Sequence, residues 1–296
     1  MFEQSSIFLL AEEKHTLKIF RIEIDNDTQS SICNDFSIST SKLIDEKEAI
    51  VFDGCYKPDD DECLKIENFP LEDEIKDAVR NPLGVSSFQI SEDGFPDIKA
   101  IFVGERKQTS NNESFCISFQ RFRKEQYLFP KNYHLFFTGN TFFRESKFGI
   151  SVIDCIDCCY HNNTLWFSSF YYTRQIFDLS NYYRSATDPE VDTFCRHSAI
   201  FVEDIEAFKK NATTTIRRKI AFINDSNVLD RFTIHDVVNK ANNVGIDITL
   251  NDNRIVIPSD KKQIKFILGF LDDATYKGTF SDNVYLANSK RPISGT

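Results

Sequence analysis

The sequence lacks the features that mark several common functional classes. Only 10 of its 296 residues are glycine, and none of them forms a G-x-G-x-x-G or Walker-type phosphate loop. Apolar runs such as Ile7–Ala11 are far shorter than the roughly 20 residues that span a bilayer. The N-terminus, Met1-Phe2-Glu3, does not have the basic start of a secretory signal. We therefore expect a cytoplasmic protein with no membrane span and no glycine-rich nucleotide site.

Eight cysteines are present, and without an export signal we expect them to be free thiols, because the cytosol keeps thiols reduced. Cys155, Cys158, Cys159 and His161 have a spacing that suggests zinc. If the three cysteines lie in one strand, however, Cys155 and Cys159 face one side of it and Cys158 the other. We accordingly predict no metal and no cofactor.

Charge is unevenly distributed along the chain, whose net charge is −10. Residues 1–100 contain 23 acidic and 10 basic residues, a net of −13. Residues 205–296 contain 10 acidic and 14 basic residues, a net of +4. A polyanion would therefore bind the C-terminal part, and the acidic N-terminal part would face another protein or solvent.

The hydrophobic periodicity predicts an α+β fold with a β-rich N-terminal part and a mainly helical C-terminal module that contains a small β-hairpin. In the first part we predict hairpins over residues 98–122 and 149–172, and a strand at Phe136–Phe143. Residues 1–97 form the acidic β-rich region of this scheme. Residues 98–296 form the second region, divided into hairpins at 98–175 and the helical module at 176–296.

Within the helical module, apolar residues recur at helical spacing in four segments. The predicted helices are Ser198–Asn211, Thr213–Ile223, Thr233–Asn243 and a helix from about Pro258 to Leu271. Two short strands, Ile246–Leu250 and Arg254–Ile257, form the predicted hairpin, and Val284–Ala287 forms a final strand.

One pattern suggests an enzyme. Pro96-Asp97 followed by Glu105 and Lys107 matches the PD-(D/E)xK arrangement, in which the acids bind Mg²⁺ and the lysine orients the attacking water. That geometry needs Asp on one strand and Glu-x-Lys on its neighbour, whereas Gly104 places Glu105 and Lys107 in an exit turn. The Mg²⁺-dependent nuclease stays the enzyme alternative to a binding protein.

Basic residues are concentrated in three groups of the C-terminal module: Arg217, Arg218 and Lys219; Lys261, Lys262 and Lys265; and Lys290 and Arg291. Taken alone, they are most simply explained as solvated helix faces. In a helix, the first three would fan out at about 100° intervals, which suits a phosphate backbone better than a single base contact.

From about residue 98 to 293 the chain resembles the KwaB-like family of the bacterial Kiwa anti-phage defence system. The strongest resemblance runs from Arg254 to Lys262 and on into Phe266–Asp273 and Tyr276, and residues 288–291, Thr233–Gly245 and the hairpin at 150–172 add to it. Residues 1–97 contribute little. None of these patterns is a catalytic fingerprint.

The resemblance implies an effector that binds DNA without sequence specificity and interferes with replication or transcription of phage DNA. It also implies a transmembrane partner, KwaA, that recruits the protein to the inner membrane. The basic groups then become candidate phosphate contacts. Since the overall charge is acidic, we expect affinity to depend on homodimerisation or on clustering at the membrane. A protein-only adaptor is the remaining alternative.

Overall fold

The computed structural model describes residues 1–3, 5–13, 16–54, 56–90, 96–109, 112–287 and 289–290. The chain forms two compact units. The first, here called the N-terminal unit, comprises Met1–Phe52 and Pro58–Leu179, and the second, the C-terminal unit, comprises Asp53–Lys57 and Ser180–Thr296. The fold is α+β as predicted, since most of the sheet lies in the first unit and most of the helices lie in the second.

The N-terminal unit contains twelve strands and three helices among its described residues. The strands are β1 (Ile7–Glu13), β2 (Thr16–Ile22), β3 (Glu48–Val51), β4 (Glu62–Ile66), β5 (Asp97–Thr109), β6 (Asn112–Arg121), β7 (Tyr127–Leu128), β8 (His134–Thr138), β9 (Thr141–Glu145), β10 (Gly149–Ile150), β11 (Cys158–His161) and β12 (Thr164–Phe167). The helices are α1 (Asn26–Asp45), α2 (Asp73–Arg80) and α3 (Phe170–Thr173).

Eight of these strands form one sheet in the order β2-β1-β5-β6-β11-β12-β4-β3. All neighbours are antiparallel except β3 and β4, which are parallel. Strands from before and after residue 97 are therefore neighbours in the same sheet. The turn from β11 to β12 is made by Asn162 and Asn163, both in the left-handed region at φ +50° and +61°, as the predicted hairpin requires.

Phenylalanine rings connect the central strands. Phe8, Phe102 and Phe119 lie on the adjacent strands β1, β5 and β6, with ring centroids 4.9 and 5.4 Å apart, and all three are fully buried. Phe177 extends the cluster at 4.9 Å from Phe119. Such aromatic pairs contribute roughly 0.5–1.5 kcal/mol beyond the area they bury, so they strengthen pairing across the sheet.

Helix α1 was not predicted, although its sequence contains the signal. Cys33, Phe36, Thr40 and Leu43 recur at helical spacing and are the buried residues of the helix. Asp25 caps its first turn by accepting a hydrogen bond from Thr28 N at 3.0 Å. The remaining positions are rich in Ser, Asp and Thr, which have low helix propensity, so the helix depends on packing rather than on local preference.

Two other predictions for the N-terminal unit were wrong in detail. The strand expected at Phe136–Phe143 is the hairpin of β8 and β9, which turns at Gly139 with φ +63°. The predicted exit turn at Gly104 is absent, because β5 continues to Thr109 and pairs with β6 throughout. Glycine is required at 104 for packing, since a Cβ there would lie 2.5 Å from Val79 Cγ2.

The β8–β9 hairpin leaves aromatic side chains on both faces accessible to solvent. Phe136 pairs with Phe143 and Phe137 with Phe142, and these four rings are between 44% and 64% exposed. A set of exposed rings of this size is unusual for a surface that meets only water.

The C-terminal unit contains six helices and five strands among its described residues. The helices are α4 (Asp188–Cys195), α5 (Ile205–Asn211), α6 (Thr214–Ser226), α7 (Val228–Arg231), α8 (Ile234–Asn243) and α9 (Lys261–Leu271). The strands are β13 (Ile200–Val202), β14 (Leu250–Asn251), β15 (Arg254–Ile257), β16 (Thr275–Lys277) and β17 (Val284–Leu286). Helices α6, α8 and α9, the strand β15 and the final strand were all predicted, whereas the first strand of the hairpin is Leu250–Asn251 rather than the predicted Ile246–Leu250.

The helix predicted at Ser198–Asn211 is instead a strand followed by a helix. Ile200–Val202 forms β13 and pairs in parallel with β15, so its β-branched residues join a sheet. The helix begins only after Asp204, whose side chain accepts a hydrogen bond from Ala207 N at 2.9 Å. Helices α6 and α9 pack with α4 and this small sheet around one core. No helix within the described ranges has the length and apolar character of a membrane span.

Gln120 is a fully buried polar residue that fixes the segment between β10 and β11. Its side-chain amide donates to Ile153 O at 2.6 Å and to Cys155 O at 2.5 Å, and its side-chain oxygen accepts from Ile153 N at 3.1 Å. Three backbone groups of this segment therefore depend on one side chain.

We predict that Gln120→Leu lowers the free energy of unfolding by about 3 kcal/mol, because it leaves these backbone groups without partners at similar side-chain volume. Urea denaturation measures the change, and Gln108→Leu, at an exposed position of β5, is the matched control. A loss no greater than that of the control would contradict the role assigned to Gln120.

Arg184 connects the start of α4 to α6. Its guanidinium donates to both carboxylate oxygens of Glu190 and, at 3.1 Å, to both oxygens of Asp225. Glu190 also accepts from Thr187 N and Oγ1 at 2.8 and 2.9 Å, which caps α4. The hydrogen bond from Arg184, followed by those from Thr187, lowers the pKa of Glu190 from 4.5 to about 2.

The pKa of Glu190 is lower in the folded state than in the unfolded state. The stabilisation that its ionised carboxylate gives the folded state is therefore complete above pH 4.5 and is lost as the pH falls towards 2. We predict that Glu190→Gln lowers the unfolding midpoint in urea at pH 7, and that the difference from the unmodified chain shrinks progressively below pH 4.5. An equal difference at pH 7 and pH 3.5 would be inconsistent with an ionised Glu190 as its source.

Candidate nucleic-acid interface

A small cationic pocket lies in the C-terminal unit, between one face of α6 and the segment that follows α9. It is lined by Thr215, Arg218, Lys219, Phe222, Asp272, Ala274, Ala287 and Lys290. The four residues from α6 share a face because they are three or four positions apart. The volume is about 70 Å³, and three of the eight predicted DNA-binding residues are brought together here.

Asp272 holds two of the cations in place. Its side chain is only 6% exposed, and it pairs with Lys219 Nζ through Oδ2 at 3.3 Å and with Lys290 Nζ through Oδ1 at 2.9 Å. Lys290 Nζ also donates to the backbone oxygen of Asp272. A buried carboxylate needs such partners, because an unpaired charge away from water is costly. Both carboxylate oxygens are therefore occupied by lysine, and the pocket keeps an excess of positive charge.

Arg218 lies beside these lysines and has no acidic partner at ion-pair distance among the described residues. Its guanidinium lies 5.9 Å from the centre of the Tyr183 ring, within the range of a cation–π contact. Gly54, at φ +79°, permits this arrangement, since a Cβ there would lie 2.7 Å from Tyr183 Cβ and 3.6 Å from Arg218 Nη2. The side chain is half-buried and is positioned at the pocket.

Arg217 differs from its neighbour, although the two are consecutive. It donates from Nε to Ala212 O and from Nη1 to Ala186 O, both at 3.1 Å, and pairs through Nη2 with Asp188 Oδ1 at 2.6 Å. The three basic side chains thus point in different directions around the helix, as predicted, but Arg217 makes contacts that hold α6 against the start of α4.

The second predicted group lies at the start of α9. Lys261 and Lys262 are exposed and Lys265 is half-buried. The side chain of Asp260 accepts from Lys262 N and Gln263 N at 3.1 and 3.0 Å, so these backbone donors are not free for an anion. Along the helix, Lys261 and Asp272 are about 16 Å apart. Arg291 lies outside the described residues.

The residues of the nuclease alternative are not brought together. Asp97 and Glu105 lie eight positions apart in β5, which separates them by about 26 Å along an extended strand. Magnesium ligands lie within about 2.1 Å of the ion, so these two carboxylates do not share one. Contrary to the sequence prediction, Glu105 and Lys107 are strand residues rather than turn residues.

The cysteines with zinc-like spacing, at which no metal was predicted, do not all lie in one strand as expected. Cys155 precedes β11 and is exposed, whereas Cys158 and Cys159 are buried on opposite faces of that strand. Burial raises the pKa of the Cys158 thiol well above its ordinary value, which disfavours the thiolate that zinc requires. No group of three potential ligands converges within the residues that the structure describes.

Together, the fold and the pocket define an α+β protein with a cationic pocket built around a buried carboxylate. A family model described as Kiwa protein KwaB-like matches residues 110–280, which is more than half of the chain. The chain belongs to this KwaB-like family, and membership indicates involvement in Kiwa anti-phage defence. The matched range contains Arg218, Lys219 and Asp272. No curated protein and no solved structure matches the chain significantly.

The ion-pair arrangement predicts a specific pattern of stability changes. Replacing Asp272 by Asn leaves the Lys219 ammonium, which is only 12% exposed, without its counter-charge, so we expect a loss of about 3 kcal/mol. In a protein that already contains Lys219→Met, the replacement of Asp272 by Asn no longer breaks the Lys219 ion pair. We therefore expect it to lower the free energy of unfolding by about half as much as in the unmodified protein.

Urea denaturation of the four proteins forms a double-mutant cycle. Independent, additive losses would show that Asp272 and Lys219 do not interact in solution.

Proposed function

We propose that this protein is a defence effector that binds DNA through its phosphates, without sequence specificity, and thereby blocks replication or transcription of phage DNA. The observation that carries the proposal is the pocket formed by Arg218, Lys219 and Lys290 around Asp272. It concentrates positive charge in an otherwise acidic chain, and family membership indicates involvement in anti-phage defence.

Phosphate contacts of this kind position a protein on a duplex and carry little sequence information. Lys261, Lys262 and Lys265 supply further side-chain contacts, at the other end of α9 from the pocket. In this proposal the protein is cytoplasmic and acts as a homodimer, which doubles the number of cations per complex. A KwaA-like transmembrane subunit recruits it to the inner membrane.

A protein-only adaptor is the second candidate, and the β8–β9 hairpin favours it. Four exposed phenylalanine rings on one hairpin, together with the net charge of −13 over residues 1–100, suit a protein partner better than a polyanion. An adaptor of this kind binds no DNA.

A salt titration tests the proposal. We predict that Arg218→Ala/Lys290→Ala lowers the affinity for DNA and reduces the slope of log K against log salt by about 1.8, since each lost phosphate contact removes roughly 0.9. Lys240→Ala, at an exposed position of α8 outside the three basic groups, is the matched control. Arg217 is left unchanged because it supports the fold.

Fluorescence anisotropy on two unrelated duplexes gives the affinities, with and without Mg²⁺. Equal slopes for the double variant and the unmodified protein would exclude these residues as phosphate contacts. A preference of several orders of magnitude for one duplex would exclude non-specific binding. DNA cleavage in Mg²⁺ that Glu105→Ala abolishes would favour the nuclease, and absence of any binding would favour the adaptor.

A further inference from the structure

The pocket beside Asp272 has properties that a general phosphate-backbone surface does not need. We propose that it binds a terminal phosphate group: the phosphomonoester at the 5′-phosphorylated end of a DNA strand or in a free nucleotide, or inorganic phosphate, which carries a similar charge. That the phosphate belongs to a DNA end rests on the function proposed above, whereas the preference of the pocket for a terminal phosphate does not.

Size limits what the pocket accepts. Its volume is about 70 Å³, whereas pockets that hold whole small molecules measure roughly 300–1,000 Å³. About 10–15 Å³ of a volume measured in this way holds one water molecule, so this pocket has room for a few water-sized groups. A phosphate group fits this description, whereas a nucleoside attached to it would lie outside the recess. An internal diester has a nucleoside on both sides of its phosphate, so a terminal phosphate enters such a recess more readily.

Charge selects between the two kinds of phosphate. Arg218, Lys219 and Lys290 carry three positive charges and Asp272 one negative charge, so the lining has a net charge of +2. A phosphomonoester carries about −1.5 to −2 at pH 7, because its second pKa is about 6. A diester carries a single negative charge. The monoester therefore neutralises the pocket more completely.

The donors are held in position before any ligand binds. Asp272 uses one hydrogen bond of the Lys219 ammonium, and two of Lys290 when its backbone oxygen is included. An ammonium has three donors, so each lysine keeps at least one for a ligand. The Arg218 guanidinium suits bidentate contact with phosphate oxygens. The two lysines therefore lose little side-chain freedom on binding.

The N-terminal turn of α6 adds to the attraction. Thr215 lies in this turn, is exposed and lines the pocket. The helix has no acidic residue in its first turn, and the side chain of its N-cap residue, Thr213, makes no capping hydrogen bond. The positive end of the helix dipole is therefore not compensated locally, which favours an anion beside it.

Three DNAs of the same sequence test the inference: a blunt duplex with 5′-phosphates, the same duplex with 5′-hydroxyls, and a covalently closed dumbbell without ends. Fluorescence anisotropy should show about tenfold tighter binding of the 5′-phosphorylated duplex. This preference should weaken below about pH 6 as the monoester gains a proton, while binding of the dumbbell does not follow that titration.

Arg218→Gln and Lys290→Gln should reduce the preference to about unity, and Lys240→Gln should retain it. Thermal melting confirms that each variant is folded. Lys290 is the more exposed partner of Asp272, so its variant remains informative if Arg218→Gln does not fold.

The outcomes separate the two proposals. Equal affinity for all three DNAs overturns the monoester pocket and leaves DNA binding intact. If no DNA binds, the function proposed above fails, and calorimetry with inorganic phosphate and with adenosine 5′-monophosphate decides the inference alone. Heat of binding that Arg218→Gln abolishes supports the pocket with a free phosphate as its source. If neither phosphate nor adenosine 5′-monophosphate gives a heat of binding, the inference is overturned.

Discussion

The C-terminal unit depends on the neutralisation of one buried carboxylate, that of Asp272. Because the charge lies where water cannot solvate it, the fold must supply cations, and it does so from Lys219 in α6 and from Lys290 beyond β17. The same contacts join three segments that are distant in the sequence. They also bring two ammonium groups to one acid, so the pairing that stabilises the unit leaves a positive charge at its surface.

Helix α6 contributes to both the core and the pocket because successive residues point about 100° apart. Ile216 and Ile220 are fully buried, Arg217 holds the start of α4, and Arg218 faces the pocket. Three adjacent basic residues thus have different roles that their residue type does not reveal. Only the surroundings of each side chain distinguish a cation used by the fold from one left for a ligand.

Much of the fold was predictable where pattern and local chemistry agree. Helix α8 begins directly after its N-cap residue Thr233, which exchanges hydrogen bonds with Asp236, and its C-terminal end is followed by Gly245 at φ +75°, so both ends were predicted. Prediction failed where tertiary packing outweighs local preference. Helix α1 is composed of weak helix formers, β13 depends on pairing with a strand 55 positions later, and Gly104 serves packing rather than a turn.

The positive charge of the candidate site was predictable from the sequence, but the position of the site was not. A count of charges shows that the C-terminal part has an excess of positive charge. The count includes Lys209 and Lys277, although they pair with Asp192 and Asp282. It also subtracts Asp272, although this residue holds the lysines of the pocket in place. What a polyanion experiences is the local arrangement of cations, because at physiological ionic strength charges beyond about 8 Å are screened. An acidic chain and a phosphate-binding pocket are therefore compatible, provided that the pocket's cations are held close together by the fold.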